Sequence, residues 1–193
     1  MAYTTIDDPT AHFETKLWSG TGSTQSITNM NFQPDFIWWK ERSSTSHHNL
    51  TDSVRGVSKQ IYPNRNNAET SYVGSEISAF NSDGFSIGTS SDTNQNGETY
   101  VSWNFKANGA GSANTDGSIN TTATSVNTTS GFSISKYTGT GSAGATVGHG
   151  LGVAPKMIIV KGLTYADVWI VGGDSLGGWN KEMYLNGTSA VAT

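Results

Sequence analysis

Apolar residues along this chain recur at alternate positions, not at helical spacing. Val101, Trp103 and Phe105 share one face of a period-two run, with Ser102 and Asn104 on the other, the pattern of a half-buried strand. Asn96-Gly97 before it and Asn108-Gly109 after it are hairpin-type turn dipeptides, and Asp83-Gly84 opens Phe85-Ser86-Ile87-Gly88 in the same way. Phe36-Ile37-Trp38-Trp39 and Met157-Ile158-Ile159-Val160 are apolar at every position, which predicts central strands covered on both faces. No stretch carries a convincing 3.6-residue stripe; Asp52 to Ile61 admits one short helix or turn. The pattern predicts an all-β protein.

The chain also repeats itself. Phe13 to Lys40 and Phe132 to Lys161 share, in order, Phe, Lys, an aromatic, Gly-Thr-Gly-Ser, an apolar residue, Pro, and an apolar run closing in Lys. The offset is 119 at Phe13/Phe132 and 121 at Lys40/Lys161. At an offset of 122, Asp52-Ser53 then faces Asp174-Ser175, Lys59 faces Lys181, Tyr62 faces Tyr184 and Asn64 faces Asn186. So many ordered agreements indicate a tandem duplication. It divides the chain into an N-terminal arm (1–12), a first repeat (13–106), a segment rich in Gly, Ser, Thr and Asn (107–131) and a second, truncated repeat (132–193). Thr193 stands opposite Ser71, so the second copy lacks equivalents of Tyr72 to Phe105. Its strand edges would be unpaired. The expectation is therefore a chain that continues beyond Thr193, or a neighbouring chain that completes the second unit. Segment 107–131 reads either as a flexible tether or, at Ser118 to Thr122, as a peripheral strand.

Composition narrows the function. Only 13% of the 193 residues are charged, about half the usual share, and Ser, Thr, Asn and Gly fill the gap. The aromatics can still build a core. The absence of cysteine excludes a disulfide scaffold and any thiolate metal or redox site. A net charge of −4 with 11 Lys+Arg leaves no basic footprint, so no nucleic-acid partner is expected. Met157–Val160 is far too short to cross a bilayer, so no membrane insertion is expected. Met1 to Asp8 has neither a basic nor an apolar leader region.

Asn31-Phe32-Gln33-Pro34-Asp35-Phe36-Ile37-Trp38-Trp39-Lys40, Asp52-Ser53-Val54-Arg55-Gly56, Phe80-Asn81-Ser82-Asp83-Gly84-Phe85 and Gly97-Glu98-Thr99-Tyr100-Val101-Ser102-Trp103 resemble a repeated domain of tailed-bacteriophage virion proteins. That domain is common in marine and cyanobacterial phages and is often labelled tail fibre. Gly148-His149-Gly150-Leu151-Gly152-Val153-Ala154-Pro155 and the run to Lys161 are similar to its other common variant, and Met1-Ala2-Tyr3-Thr4-Thr5-Ile6 looks like a native start for such proteins. The resemblance covers Phe13 to Asn186. It implies tandem concanavalin-like or jelly-roll β-sandwich repeats, the second incomplete. It also implies a non-enzymatic virion structural protein, a tail fibre or surface appendage contributing to host attachment. The partners it implies are other virion proteins, a homo-oligomer that is trimeric by analogy, and host surface glycans. Arg55 has no basic counterpart at Gly177, so a role for that arginine in every copy does not transfer. The alternatives are a head-decoration or other virion protein, or a lectin-like carbohydrate-binding module.

No constellation in the sequence points to catalysis or to a cofactor. His47 and His48 are adjacent, so on a strand they would point to opposite faces and could not chelate one ion; with Arg42 they occupy a polar connection, Arg42 to Asn49. Asp35 follows Pro34, Asp83 sits in a turn, and Asp52 and Asp174 occupy matched positions, all structural placements. Gly20-Thr21-Gly22-Ser23 and Gly139-Thr140-Gly141-Ser142 lack the Lys-Ser/Thr ending of a phosphate loop and read as turns. Sugars stack on exposed aromatic rings and bond to polar neighbours. Trp38, Trp39 and Trp103 read as core. Trp179, Tyr165, His47, His48 and Arg42 are the candidates for a glycan or receptor contact.

Overall fold

The computed structural model describes residues 6–193; Met1 to Thr5, where the start-like segment begins, lie outside them. A short 3₁₀ turn (Pro9–Ala11) leads into β1 (Phe13–Ser19) and β2 (Gln25–Ile27), followed by β3 (Phe36–Glu41) and β4 (His48–Asp52). Two short strands, β5 (Lys59–Gln60) and β6 (Thr70–Ser71), precede β7 (Ile77–Asn81) and β8 (Gly84–Ile87). A single helical turn, α1 (Ser91–Asn94), leads to β9 (Thr99–Phe105). Then come β10 (Thr121–Asn127), β11 (Phe132–Tyr137), β12 (Met157–Lys161), β13 (Trp169–Gly173) and β14 (Gly178–Tyr184). The protein is all-β, and the ladders between these strands are antiparallel. Segment 107–131 contains β10, and Asp52 to Ile61 forms turns and β5, not a helix.

The four-stranded sheet β1-β9-β3-β4 faces the three-stranded sheet β2-β8-β7 in a β-sandwich. Trp18, Ile37, Trp39 and Tyr100 on one side meet Ile27, Ile77, Phe85 and Ile87 on the other. The Asp83-Gly84 turn joins β7 to β8, and Gly84 takes φ of +153° with its Cα against the Ile27 carbonyl, where a Cβ would collide. Aromatic polar ends buried in this core need partners, and α1 supplies them. Its carbonyls at Ser91, Asp92 and Thr93 accept from Tyr100 Oη (2.8 Å), Trp39 Nε1 (3.2 Å) and Trp18 Nε1 (3.0 Å). These are carbonyls that so short a helix leaves unpaired. Burial raises the Tyr100 hydroxyl to about 12, so it is a fixed neutral donor.

Alternation in β9 is present, but its faces are reversed. Tyr100, Ser102 and Asn104 are fully buried toward the sandwich core, whereas Val101, Trp103 and Phe105 are only partly buried on the outer face. Ser102 lies beside Trp39, and Asn104 beside Ile37. Small side chains on this central strand leave volume for the large ones next to them. Asn104 is held by bonds to Ser102 Oγ (2.9 Å) and the Glu14 carbonyl (2.9 Å). Trp39 is in the core, as expected. Trp38 and Trp103, also expected there, lie edge-to-face on the outer side (6.3 Å).

That outer side is where the C-terminal part of the chain docks. Phe132 of β11 stacks on Phe105 (5.0 Å) and meets Phe36 edge-on (5.5 Å). Trp169 of β13 is buried with Leu50 and Ile61. Its Nε1 donates to the carbonyls of Tyr62 (2.9 Å) and Arg65 (3.1 Å). The sheet order β12-β13-β14 makes β12 an edge strand, which corrects the expectation of a covered central strand. Its match β3 lies between β4 and β9; among the described residues, no strand takes β9's place beside β12.

Candidate functional site

The connection Arg42 to His47 has five Ser, Thr or Arg residues ahead of its histidine and no apolar side chain, so nothing draws it into the core and it projects from the β3–β4 end. Arg42 is exposed, anchored by its amide to the Thr99 carbonyl (2.7 Å). His47 is exposed; its Nδ1 lies 3.2 Å from Asn64 Nδ2 and its ring meets Tyr62 edge-on (6.1 Å). His48 turns the other way. Its Nδ1 accepts from Trp38 Nε1 (2.9 Å) and its ring stacks on Trp103 (6.3 Å). Partial burial, then the Lys40 ammonium, hold it below the ordinary histidine range. An acceptor role at Nδ1 is that of a neutral imidazole, so His48 completes an aromatic cluster on the sheet face and is not a loop-tip contact.

The β5–β6 connection stands beside this loop. Asn64 Oδ1 accepts the His48 amide (3.1 Å), and the Arg65 guanidinium lies over the Tyr62 ring (5.8 Å). Its far side meets the β12–β13 connection, where the Asp167 amide donates to the Asn66 carbonyl (2.7 Å) and the Glu69 amide to the Leu163 carbonyl (2.8 Å). Tyr165 belongs to that third loop. It is 60% exposed, with its ring against Gly162. The three connections therefore form one rim, along which Arg42, His47, Arg65 and Tyr165 are presented to solvent. Arg65 and Asn64 were not among the sequence candidates; the run Pro63-Asn64-Arg65-Asn66-Asn67 is a turn signal that marks them.

Trp179 is elsewhere. It is the second residue of β14, at the end of β13 opposite Tyr165, and is 50% exposed. The five residues of β13, a rise of about 16 Å, run between these two ends, so the two rings do not form one sugar platform. Beside Trp179, Asp174 and Lys156 form an exposed pair (2.8 Å).

The interior carboxylates hold turns. Asp35 accepts from the amides of Ala107 (2.8 Å) and Gly109 (3.1 Å). Asp52 accepts the Arg55 amide (2.9 Å) and Nε (2.6 Å), and Arg55 reaches on to Glu69 (3.2 Å) and the Leu50 carbonyl (3.1 Å). The first Gly-Thr-Gly-Ser turn is clamped by Asn94, whose Oδ1 accepts the Thr21 amide (2.8 Å) and whose Nδ2 donates to the Ser23 carbonyl (2.6 Å). The second, Gly139 to Ser142, is exposed. Among the described residues, no three His, Asp or Glu side chains are grouped to hold a metal ion, and no helix is long and apolar enough to cross a membrane.

Residues 8–193 match the model of a family described as Domain of unknown function (DUF7483), and the chain belongs to that family. No curated protein and no solved structure matches it.

Proposed function

We propose that this member of the DUF7483 family is a non-enzymatic structural protein of a bacteriophage particle, a tail fibre or related appendage that contributes to host-surface attachment. The observation that carries this reading is the division of labour among polar side chains. In the interior, Asp35, Asp52, Arg55, Glu69 and Asn94 are spent on clamping turns. At one end, Arg42, His47, Arg65 and Tyr165 stand outward on loops joined to a stiff antiparallel framework. A rigid sheet with variable loops at its end suits recognition of a surface. The likeness of Asn31–Lys40 and Gly97–Trp103 to virion-protein repeats supports the same reading.

Tandem sandwich repeats are part of the proposal. The strands β1 and β11 begin at the matched residues Phe13 and Phe132, and β3 and β12 begin at Phe36 and Met157, which supports a duplicated unit. The virion is the proposed location, with other virion proteins as partners, a trimer as the assembly and host glycans as the ligand of the rim.

Immunogold labelling of purified particles with an antibody to this chain tests it. Label on the tail is the expected result; label on the head favours a decoration protein, and unlabelled particles overturn the reading. A lectin-like role rests on Tyr165 and the rim. Tyr165→Ala combined with Arg65→Ala is expected to abolish binding to host cells while Trp179→Ala leaves it unchanged.

A further inference from the structure

The second hairpin carries an unfinished edge. Met157, Ile158, Ile159 and Val160 are each between 39% and 57% exposed, although four consecutive apolar residues on a strand are ordinarily buried. At the matched positions of β3, Ile37 and Trp39 are fully buried. Two things differ: Ile37 and Trp39 pack against the facing sheet, and β3 bonds to both β4 and β9 whereas, among the described residues, β12 bonds to β13 alone.

The direction of the amides shows what the open edge offers. The Asp174 amide donates to the Lys156 carbonyl across to β13 (3.0 Å). Successive amides of a strand point to opposite edges. Those of Ile158 and Val160 therefore face β13, and those of Met157, Ile159 and Lys161 face outward. In β3, the Arg42 amide donates to Thr99 of β9 (2.7 Å), so by the same alternation the amides of Phe36, Trp38 and Lys40 face β9. The outward amides of β12 are thus the sequence matches of those that hold β9. Exposed edges are usually blunted by lysine, but both flanking lysines are engaged: Lys156 with Asp174 (2.8 Å), and Lys161 with the Gly162 carbonyl (2.6 Å).

We propose that the free edge of β12 is an acceptor for one added antiparallel strand with the pattern of β9, aromatic or β-branched residues alternating with Ser and Asn. The β3–β9 ladder, with Phe36 against Phe105, Trp38 against Trp103 and Lys40 against Val101, gives the register. The strand's Phe falls beside Met157, its Trp beside Ile159 and its Val beside Lys161. Main-chain bonds supply affinity and the alternate side chains supply register, as in other strand additions. The inference does not depend on the virion reading.

The test uses the full chain and a labelled peptide of the sequence Gly97 to Lys106. Saturable binding is expected, with hydrogen exchange slowed at the amides of Met157, Ile159 and Lys161. A scrambled peptide should give neither effect. Ile159→Pro removes an outward amide while sparing the β13 ladder, a placement that edge strands tolerate; it should weaken binding on the order of ten-fold. Should that variant misfold, the exchange pattern of the wild-type chain still decides. No binding, or protection elsewhere, overturns the proposal. So does concentration-dependent protection of β12 without peptide, which would identify a second copy of β12 as the occupant.

Discussion

The β3–β4 and β12–β13 hairpins share an apolar run closing in Lys and a following Asp-Ser, and they differ almost completely in environment. In the first, Ile37 and Trp39 close a sandwich core; in the second, Ile158 and Val160 at the same positions face solvent. In the first, Asp52 is locked to a buried Arg55 (2.6 Å); in the second, Asp174 pairs with an exposed Lys156 (2.8 Å). An apolar run specifies a strand, but what covers that strand is supplied by other segments. For β3 these are β9, β2, β7 and β8. Among the described residues, the β12 hairpin meets the outer face of the first sheet, reached through Trp169.

Paired substitutions test this contrast, and the largest effect belongs to the core. Trp39→Ala should cost about 3–5 kcal/mol of unfolding free energy, while the matched Val160→Ala should change it by no more than about 0.5 kcal/mol, both read by urea denaturation. Equal costs would mean that β12 is covered in solution. The ion pairs come next. Arg55→Ala leaves Asp52 without its buried cation, Glu69 keeping Lys59 at 3.7 Å, and should cost about 3 kcal/mol, whereas Lys156→Ala should leave the melting temperature unchanged.

The smallest effect is one of pH and belongs to the first unit. Glu76 is buried, with Ser90 Oγ donating to it (2.5 Å), and burial raises its carboxyl above the ordinary 4.5. The unfolded chain therefore releases that proton first. Its contribution is complete below about pH 4.5 and is lost as pH rises through the folded value. Glu76→Gln should flatten this decline, raising the melting temperature at neutral pH relative to the wild type and leaving acid values nearly unchanged. A decline of the same size in the variant would assign the pH dependence to another group.

Much of this is legible in the sequence. Period-two alternation and the turn dipeptides identify an all-β chain, and the matched segments identify the two hairpins. The orientation of β9 was not legible, because alternation shows that a strand has two kinds of face without showing where the second layer lies. Ser102 and Asn104 go inward because Trp39 and Ile37 fill the adjacent volume, a fact of neighbours on another strand. The docking of Trp169 was hidden for a similar reason, since its partners are loop carbonyls far along the chain. At the rim, the Arg42–Asn49 connection was readable as a polar loop carrying Arg42 and His47. That His48 turns back to Trp38 and Trp103 depends on cross-strand placement, and the separation of Tyr165 from Trp179 depends on which ends of β13 they occupy.

The most direct test of an open second hairpin beside a closed first one is amide hydrogen exchange at Trp38 and Ile159, resolved by NMR on the monomeric chain. The Trp38 amide, facing β9, should exchange only with unfolding of the sandwich, and the Ile159 amide, facing the open edge, should exchange orders of magnitude faster. Equal protection at the two amides in a monomer would contradict the account.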